Sequence, residues 1–160
     1  MDRFDAVLDE LEPQPSDRLL DWGCGVGSLT DHLSPGVTYV GFDWSDGMIS
    51  RARRDHPGFR FQTWEPLGEF DLVACVGPFN LPQGWSKEMT WYMLRRLFKR
   101  TSHKLVASLY AGADESCLRY SLAECEQFAR GESFYSRAVQ WRHNDVLVVL
   151  ERRQWEQVAA

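Results

Sequence analysis

Residues 19–30, LLDWGCGVGSLT, place an acid, Asp21, two positions ahead of three alternating glycines, Gly23, Gly25 and Gly27. A second apolar run, YVGFDW at 39–44, ends in another acid, Asp43. Glycines at this spacing let a chain turn sharply and bring backbone N–H groups against a ligand that no side chain could admit. An acid closing the following strand stands where it can accept hydrogen bonds from both hydroxyls of a ribose. The pattern is therefore that of a nucleoside-binding turn. It is not the dinucleotide fingerprint G-x-G-x-x-G, which would need glycine at Ser28 or at Thr30.

What is present, D-x-G-x-G-x-G, resembles the first motif of class I S-adenosylmethionine-dependent methyltransferases, a Rossmann-like family whose cofactor carries no phosphate. The resemblance implies S-adenosyl-L-methionine as cofactor and S-adenosyl-L-homocysteine as product. It sets Asp21 near the amino group of the methionine moiety and lines the methionine and ribose with Gly23, Gly25 and Gly27. Cys24 then contributes a backbone N–H rather than its thiol, and Asp43 is the ribose ligand. Trp44 takes the position of an apolar side chain over the adenine, with Met48 either a second wall or a core residue. After the third strand such enzymes carry an acid that meets the adenine amine; Glu65, with Trp64 beside it, is the match here. The fourth strand ends CVGPFNLP, so the backbone at Val76 would run beneath the reacting sulfonium.

Methyl transfer from a sulfonium is an in-line displacement with a good leaving group. Orientation and desolvation supply most of its rate, and a base is needed only for weak nucleophiles. The acceptor residues must therefore be sought where ligands meet such sheets, at the carboxyl ends of the later strands. Those ends carry Gly77-Pro78-Phe79-Asn80, then Tyr110, then Trp141-Arg142-His143. Asn80 is the candidate for orienting the acceptor, or else a cap of its loop. His143 is the candidate base, or else a solvated turn residue. Phe79, Trp85, Tyr110 and Arg142 are candidates for acceptor contact, whereas His32, His56 and His103 read as structural. Enzymes of this class that methylate amines of bases or amides carry N/D-P-P-Y/F after the fourth strand. Val-Gly-Pro-Phe lacks the leading amide or acid, which argues against that subclass.

Alternating strand-like and helix-like segments run through the chain with no linker, repeat or low-complexity tract. A leading helix over Arg3–Leu11 is closed by Pro13 and Pro15, and residues 16–160 form the core of one domain spanning 1–160. Strands are expected at 18–22, 38–43, 59–63, 70–76, 105–109, 134–141 and 146–151. Helices are expected from Gly27 to Leu33, after the N-cap Ser45 to Asp55, over 87–100 and over 122–129. The four-residue turn Arg142-His143-Asn144-Asp145 forces the last two strands to pair antiparallel. The expected fold is α/β: a doubly wound, mostly parallel seven-stranded sheet with helices on both faces and a C-terminal antiparallel hairpin. It is a minimal version without a cap insertion, since only Trp64 to Glu69 separate the third and fourth strands.

The chain's 160 residues, 44% apolar and 13% aromatic, suit one globular domain. No apolar run approaches the roughly 20 residues of a membrane span, and the first residues hold no apolar block of a signal peptide. Four cysteines without C-x-x-C spacing imply neither a disulfide framework nor a zinc ribbon, so a reduced cytoplasmic setting without metal is expected. A net charge of −5 argues against a nucleic-acid surface. The exception is Arg95, Arg96, Lys99, Arg100 and Lys104 on and after one helix, which reads as its solvated face. Three functions follow in order: a methyltransferase acting on a small molecule, one acting on protein or nucleic acid, and a non-catalytic binding subunit. Without a cap, the lid would be the loop carrying Trp85, the leading helix, or a partner in a homodimer.

Overall fold

The computed structural model describes residues 2–81, 84–132, 135–142 and 144–152. Its elements in order are α1 (Arg3–Leu11), β1 (Arg18–Trp22), a 3-10 helical turn (Ser28–His32), β2 (Thr38–Phe42), α2 (Asp46–Asp55) and β3 (Arg60–Gln62). β4 (Phe70–Val76), α3 (Lys87–Phe98), β5 (Thr101–Tyr110), α4 (Leu122–Glu132), β6 (Arg137–Trp141) and β7 (Asp145–Glu151) follow. The strands form one seven-stranded sheet in the order β3-β2-β1-β4-β5-β7-β6. All neighbours are parallel except β7, which runs antiparallel to both β5 and β6. This is the doubly wound arrangement with a terminal hairpin that the sequence predicts.

Two apolar layers sandwich the sheet. Leu19, Tyr39, Leu72 and Val106 pack with Val7 and Leu11 of α1 and Ile49 of α2. On the opposite face Leu20, Val40, Val73 and Leu105 pack with Leu94 and Leu97 of α3 and Phe128 of α4. Alternate residues along each strand thus serve opposite faces. α1 begins with a capping box in which Asp2 accepts from the N–H groups of Phe4 and Asp5 while Asp5 accepts from that of Asp2. His32 joins it, its Nδ1 lying 2.8 Å from Asp5 Oδ1, so the 3-10 turn is tied to α1. Together these contacts hold Asp5 below its ordinary pKa, the Asp2 N–H contributing most.

Some boundaries differ from those expected. The first crossover is a short 3-10 turn ending at His32 rather than a helix reaching Leu33, whose backbone is already extended. β5 starts four residues early: its polar lead is paired, Ser102 Oγ with Asp71 at 2.9 Å and the buried Lys104 with Glu12 at 2.8 Å. α4 runs three residues further than expected, β6 is described from Arg137, and no helix joins β3 to β4. Among the described residues no helix is long and apolar enough to cross a membrane.

Candidate active site

β1 and β2 deliver Asp21 and Asp43 to the same, carboxyl, end of the sheet, and the glycine loop follows β1 there. The three glycines all take positive φ, +81°, +54° and +84° for Gly23, Gly25 and Gly27. A side chain at Gly23 would strike Pro78, whose Cβ lies 2.5 Å from the position a Cβ would occupy. At Gly25 the same position meets nothing within 4 Å, so the loop presents open space there.

The N–H groups of Gly23, Cys24, Gly25 and Gly27 are engaged within the fold, against the expectation that they meet a ligand. Gly23 and Cys24 both donate to the Phe42 carbonyl, at 2.7 and 2.9 Å, and Gly27 donates to that of Cys24 at 2.9 Å. Gly25 donates to Asp43 Oδ2 at 3.0 Å. The loop follows directly from β1, so its first two donors are taken up by β2, the strand alongside. Cys24 accordingly offers neither its N–H nor its thiol, whose pKa burial pushes far up.

Asp43 is buried, and its Oδ1 accepts from the Ser45 N–H at 2.8 Å. With Gly25 on the other oxygen the carboxylate is held in one orientation and retains acceptor capacity on each oxygen. Asp21 lies beneath the loop, wholly buried, accepting the Tyr39 hydroxyl on Oδ2 at 2.8 Å. Burial pushes its pKa up to about 7, against the pull of that hydroxyl.

Next to this pair lies a cluster of aromatic rings. Trp22 at the end of β1 stacks on Phe79 at 5.3 Å and 19°, and meets Trp44 at 5.6 Å and Trp85 edge-on at 5.8 Å. Trp44 is 49% exposed, so one part of its indole is open at the mouth. Met48, in the first turn of α2, is exposed and not a core residue; Trp64 is 61% exposed. Trp85 is half-buried within the cluster. Phe79 is fully buried and belongs to the core, which corrects its assignment to acceptor contact.

Glu65 is also reassigned. Arg96 and Arg100, on and just after α3, draw its two oxygens away, at 2.6 and 3.0 Å. The acceptor atom at the end of β3 belongs instead to Gln62, which the sequence reading missed. Its Nε2 donates to the Trp64 carbonyl at 2.8 Å, which fixes the amide's orientation. Its Oε1 is buried with no hydrogen-bond partner, and so is Trp22 Nε1. Register places Trp22, Phe42 and Gln62 in one row across β1, β2 and β3, on one face of the sheet. Two orphaned buried polar atoms in one row are uncommon, and a purine base carries the complementary donors and acceptors. The residues present therefore fit an adenosyl group.

On the acceptor side, Asn80 pins its loop to β5: Oδ1 accepts from the Tyr110 N–H at 3.0 Å, and its carbonyl from that of Leu118 at 2.9 Å. This is the capping alternative, and it corrects the orienting role expected of the side chain oxygen. Tyr110, Arg142 and Val76 border a cavity of about 440 Å³ at the ends of β4, β5 and the hairpin. The Arg142 guanidinium lies 4.7 Å over the Trp141 ring. His143 lies outside the described residues.

Residues 2–92 match the family described as Methyltransferase domain. The chain belongs to this methyltransferase-domain family. A demethylmenaquinone methyltransferase of Beutenbergia cavernae is 34% identical over 76 residues, 43% of this chain and 32% of that protein. The putative methyltransferase 235L of Invertebrate iridescent virus 6 is 26% identical over 103 residues, 59% of this chain and 38% of the viral protein. The chain thus spans about a third of the length of the curated relatives it matches. Among solved structures, magnesium protoporphyrin IX methyltransferase from Synechocystis PCC 6803 with bound S-adenosylmethionine superposes with a TM-score of 0.75 at 21% identity, covering 94% of this chain and 78% of that one. An RNA methyltransferase from Salinibacter ruber in complex with S-adenosyl-L-homocysteine reaches 0.63 at 15% identity, covering 98% and 95%. At these identities the two structures establish the fold, and their acceptors differ in class.

Proposed function

We propose that the chain is an S-adenosylmethionine-dependent methyltransferase acting on a small molecule. The observation that carries the reading is the Asp43 carboxylate, buried and fixed by the Gly25 and Ser45 N–H groups beside the open side of the glycine loop. A carboxylate offers about four acceptor sites, so a ribose diol finds two still available. When bound, S-adenosylmethionine supplies a methyl group on a sulfonium centre. Asp43 then orients the ribose, Trp44 covers the base and Asp21 sits under the cationic end.

The decisive measurement is calorimetric titration with S-adenosylmethionine and S-adenosylhomocysteine, with NAD as control. Micromolar binding of the first two alone is expected, and no binding to either would sink the reading. Asp43→Ala should weaken binding by about 1–3 kcal/mol, the loss of a hydrogen-bond partner to a charged group. Equal affinity in variant and parent would remove Asp43 from the site.

Gln62 carries a second prediction. S-inosylhomocysteine, which has an oxo group where adenine has its amine, should bind the parent more weakly by about 1–3 kcal/mol, since it sets two acceptors face to face. In Gln62→Leu the gap should close. A parent that binds both nucleosides equally places the base elsewhere.

A small-molecule acceptor is favoured because the basic group on α3 is engaged within the fold: Arg95 pairs with Glu132, Arg96 and Arg100 with Glu65. Steeply salt-dependent activity would instead point to nucleic acid. The reading places the protein in the cytoplasm, in line with free thiols at Cys24, Cys75, Cys117 and Cys125. Exposed Trp64, Met89 and Tyr92 leave a face on which a homodimer could close.

A further inference from the structure

β7 reads DVLVVLE, and its one internal-facing charge comes first. Asp145 is 3% exposed although it opens the strand, and it sits between β5 and β6, opposite Tyr110 on one side and Trp141 on the other. Its Oδ1 accepts from Ser108 Oγ and its Oδ2 from Arg3 Nη2, both at 3.2 Å. Neither contact is short or bidentate, so the pair is a weak reason for burying a carboxylate. Asp145 also borders the cavity of about 440 Å³, together with Phe4, Tyr110 and Trp141. Val76 borders the same cavity, and Arg3 Nη1 stands 3.6 Å from where a Gly77 Cβ would be. Asp145 therefore borders a chamber that sets the aromatic residues Phe4, Tyr110 and Trp141 among charged ones and adjoins the end of β4, where the methyl group would be delivered. An aromatic chamber with a few converging polar groups is the usual form of a small-molecule site.

We infer that Asp145 is the proton acceptor of the transfer, and that the methyl acceptor is a planar aromatic ring bearing a hydroxyl group. The inference rests on the methyltransferase reading above. As the acceptor oxygen attacks the methyl carbon, the carbon–sulfur electron pair passes to sulfur and leaves a thioether. The hydroxyl proton moves to the Asp145 carboxylate, which returns it to solvent when the ether departs. Ser108 and Arg3 act as positioning residues that aim the carboxylate. The charged and polar groups around it and its cavity are Asp2 at the N-cap of α1 and Arg3 in its first turn, Ser108 and Tyr110 from β5, and Arg142 and Asn144 from the hairpin. Burial raises the pKa of Asp145 and Arg3 opposes the rise, the direction that makes a stronger base.

The test uses three probes on one ring system, 2-naphthol, 2-naphthylamine and 2-naphthalenethiol, with S-adenosylmethionine as donor and methylated product measured by chromatography. The naphthol should be methylated with a rate that rises with pH as Asp145 ionises, whereas any transfer to the thiol or amine, which needs no base, should not depend on Asp145. Asp145→Asn should lower kcat by about 100-fold, the lower end for a lost general base, with KM for the naphthol and affinity for S-adenosylhomocysteine unchanged. Arg3→Gln removes the opposing cation, so the rising limb of its pH–rate profile should move to higher pH. That shift keeps the inference testable if the Asn variant folds poorly. Methylation of the thiol or amine in place of the naphthol, undiminished turnover in Asp145→Asn, or an unmoved limb in Arg3→Gln overturns it. Binding of S-adenosylhomocysteine with transfer to none of the probes also overturns it while sparing the methyltransferase reading; absent binding overturns both.

Discussion

Phe79→Ala is expected to destabilise the fold by about 3–5 kcal/mol, the range for truncating a fully buried phenylalanine. Its ring has no exposed surface, stacks on Trp22 and takes the edge of Trp85 at 5.2 Å. The segment around it is held rigidly: the Tyr120 hydroxyl donates to the Phe79 carbonyl at 3.2 Å and shares a 2.8 Å hydrogen bond with Thr90 Oγ1. Neighbours fixed in this way cannot collapse into the void, which puts the cost toward the upper end. Urea denaturation of variant and parent measures it from the shift in midpoint at unchanged slope. The result also decides between two roles for this residue. A core ring gives a large loss of stability; a substrate-contacting ring gives a small loss, under about 1 kcal/mol, because its atoms are already open to water.

Phe79 illustrates where local pattern stops being informative. It lies in a loop between β4 and α3, at the sheet end where ligands bind, and nothing in Gly-Pro-Phe-Asn says which way the ring turns. The answer comes from Trp22, 57 positions earlier in the chain. Glu65 is the same kind of case: its partners Arg96 and Arg100 are 31 and 35 residues away. Asp145 reads as the last residue of a turn, and its charged partner Arg3 is 142 residues away. By contrast the strand positions, the hairpin and the glycine loop are local in origin, set by apolar runs and turn residues. The direction of the loop's hydrogen bonds was not legible, because glycine spacing records that the backbone turns and not which carbonyl its N–H groups find. Gln62 gave no local signal, since β3 reads Arg-Phe-Gln, and its orphaned oxygen exists only in the packed structure.

Asp21→Asn should flatten the pH dependence of stability. The folded carboxyl has its pKa pushed from an ordinary 3.8 to about 7 by burial, with the Tyr39 hydroxyl opposing and the Asp43 charge adding to the rise. Between those values the native state holds a proton that the unfolded chain has released. Stability therefore falls as pH rises, by up to about 1.4 kcal/mol per pH unit, and levels off above about pH 7. Across that window the parent stands to lose up to ~4 kcal/mol at this one residue. Asparagine keeps an oxygen that can accept the Tyr39 hydroxyl and has nothing to ionise, so the variant should match the parent near pH 4 and exceed it at pH 8. Asp145, also raised, pulls in the same direction, whereas Glu124, held at about 2 by Lys87, contributes only at lower pH. Both act equally in parent and variant, so the difference between two series of urea midpoints isolates Asp21. Parallel series would mean that Asp21 titrates like a solvated acid. The same charge bears on function. A cationic amino group over the loop favours the ionised carboxylate, so affinity for S-adenosylhomocysteine in the parent should strengthen as pH rises toward 7. In Asp21→Asn that trend should vanish, which would join the energetic cost of burying this acid to the ligand that relieves it.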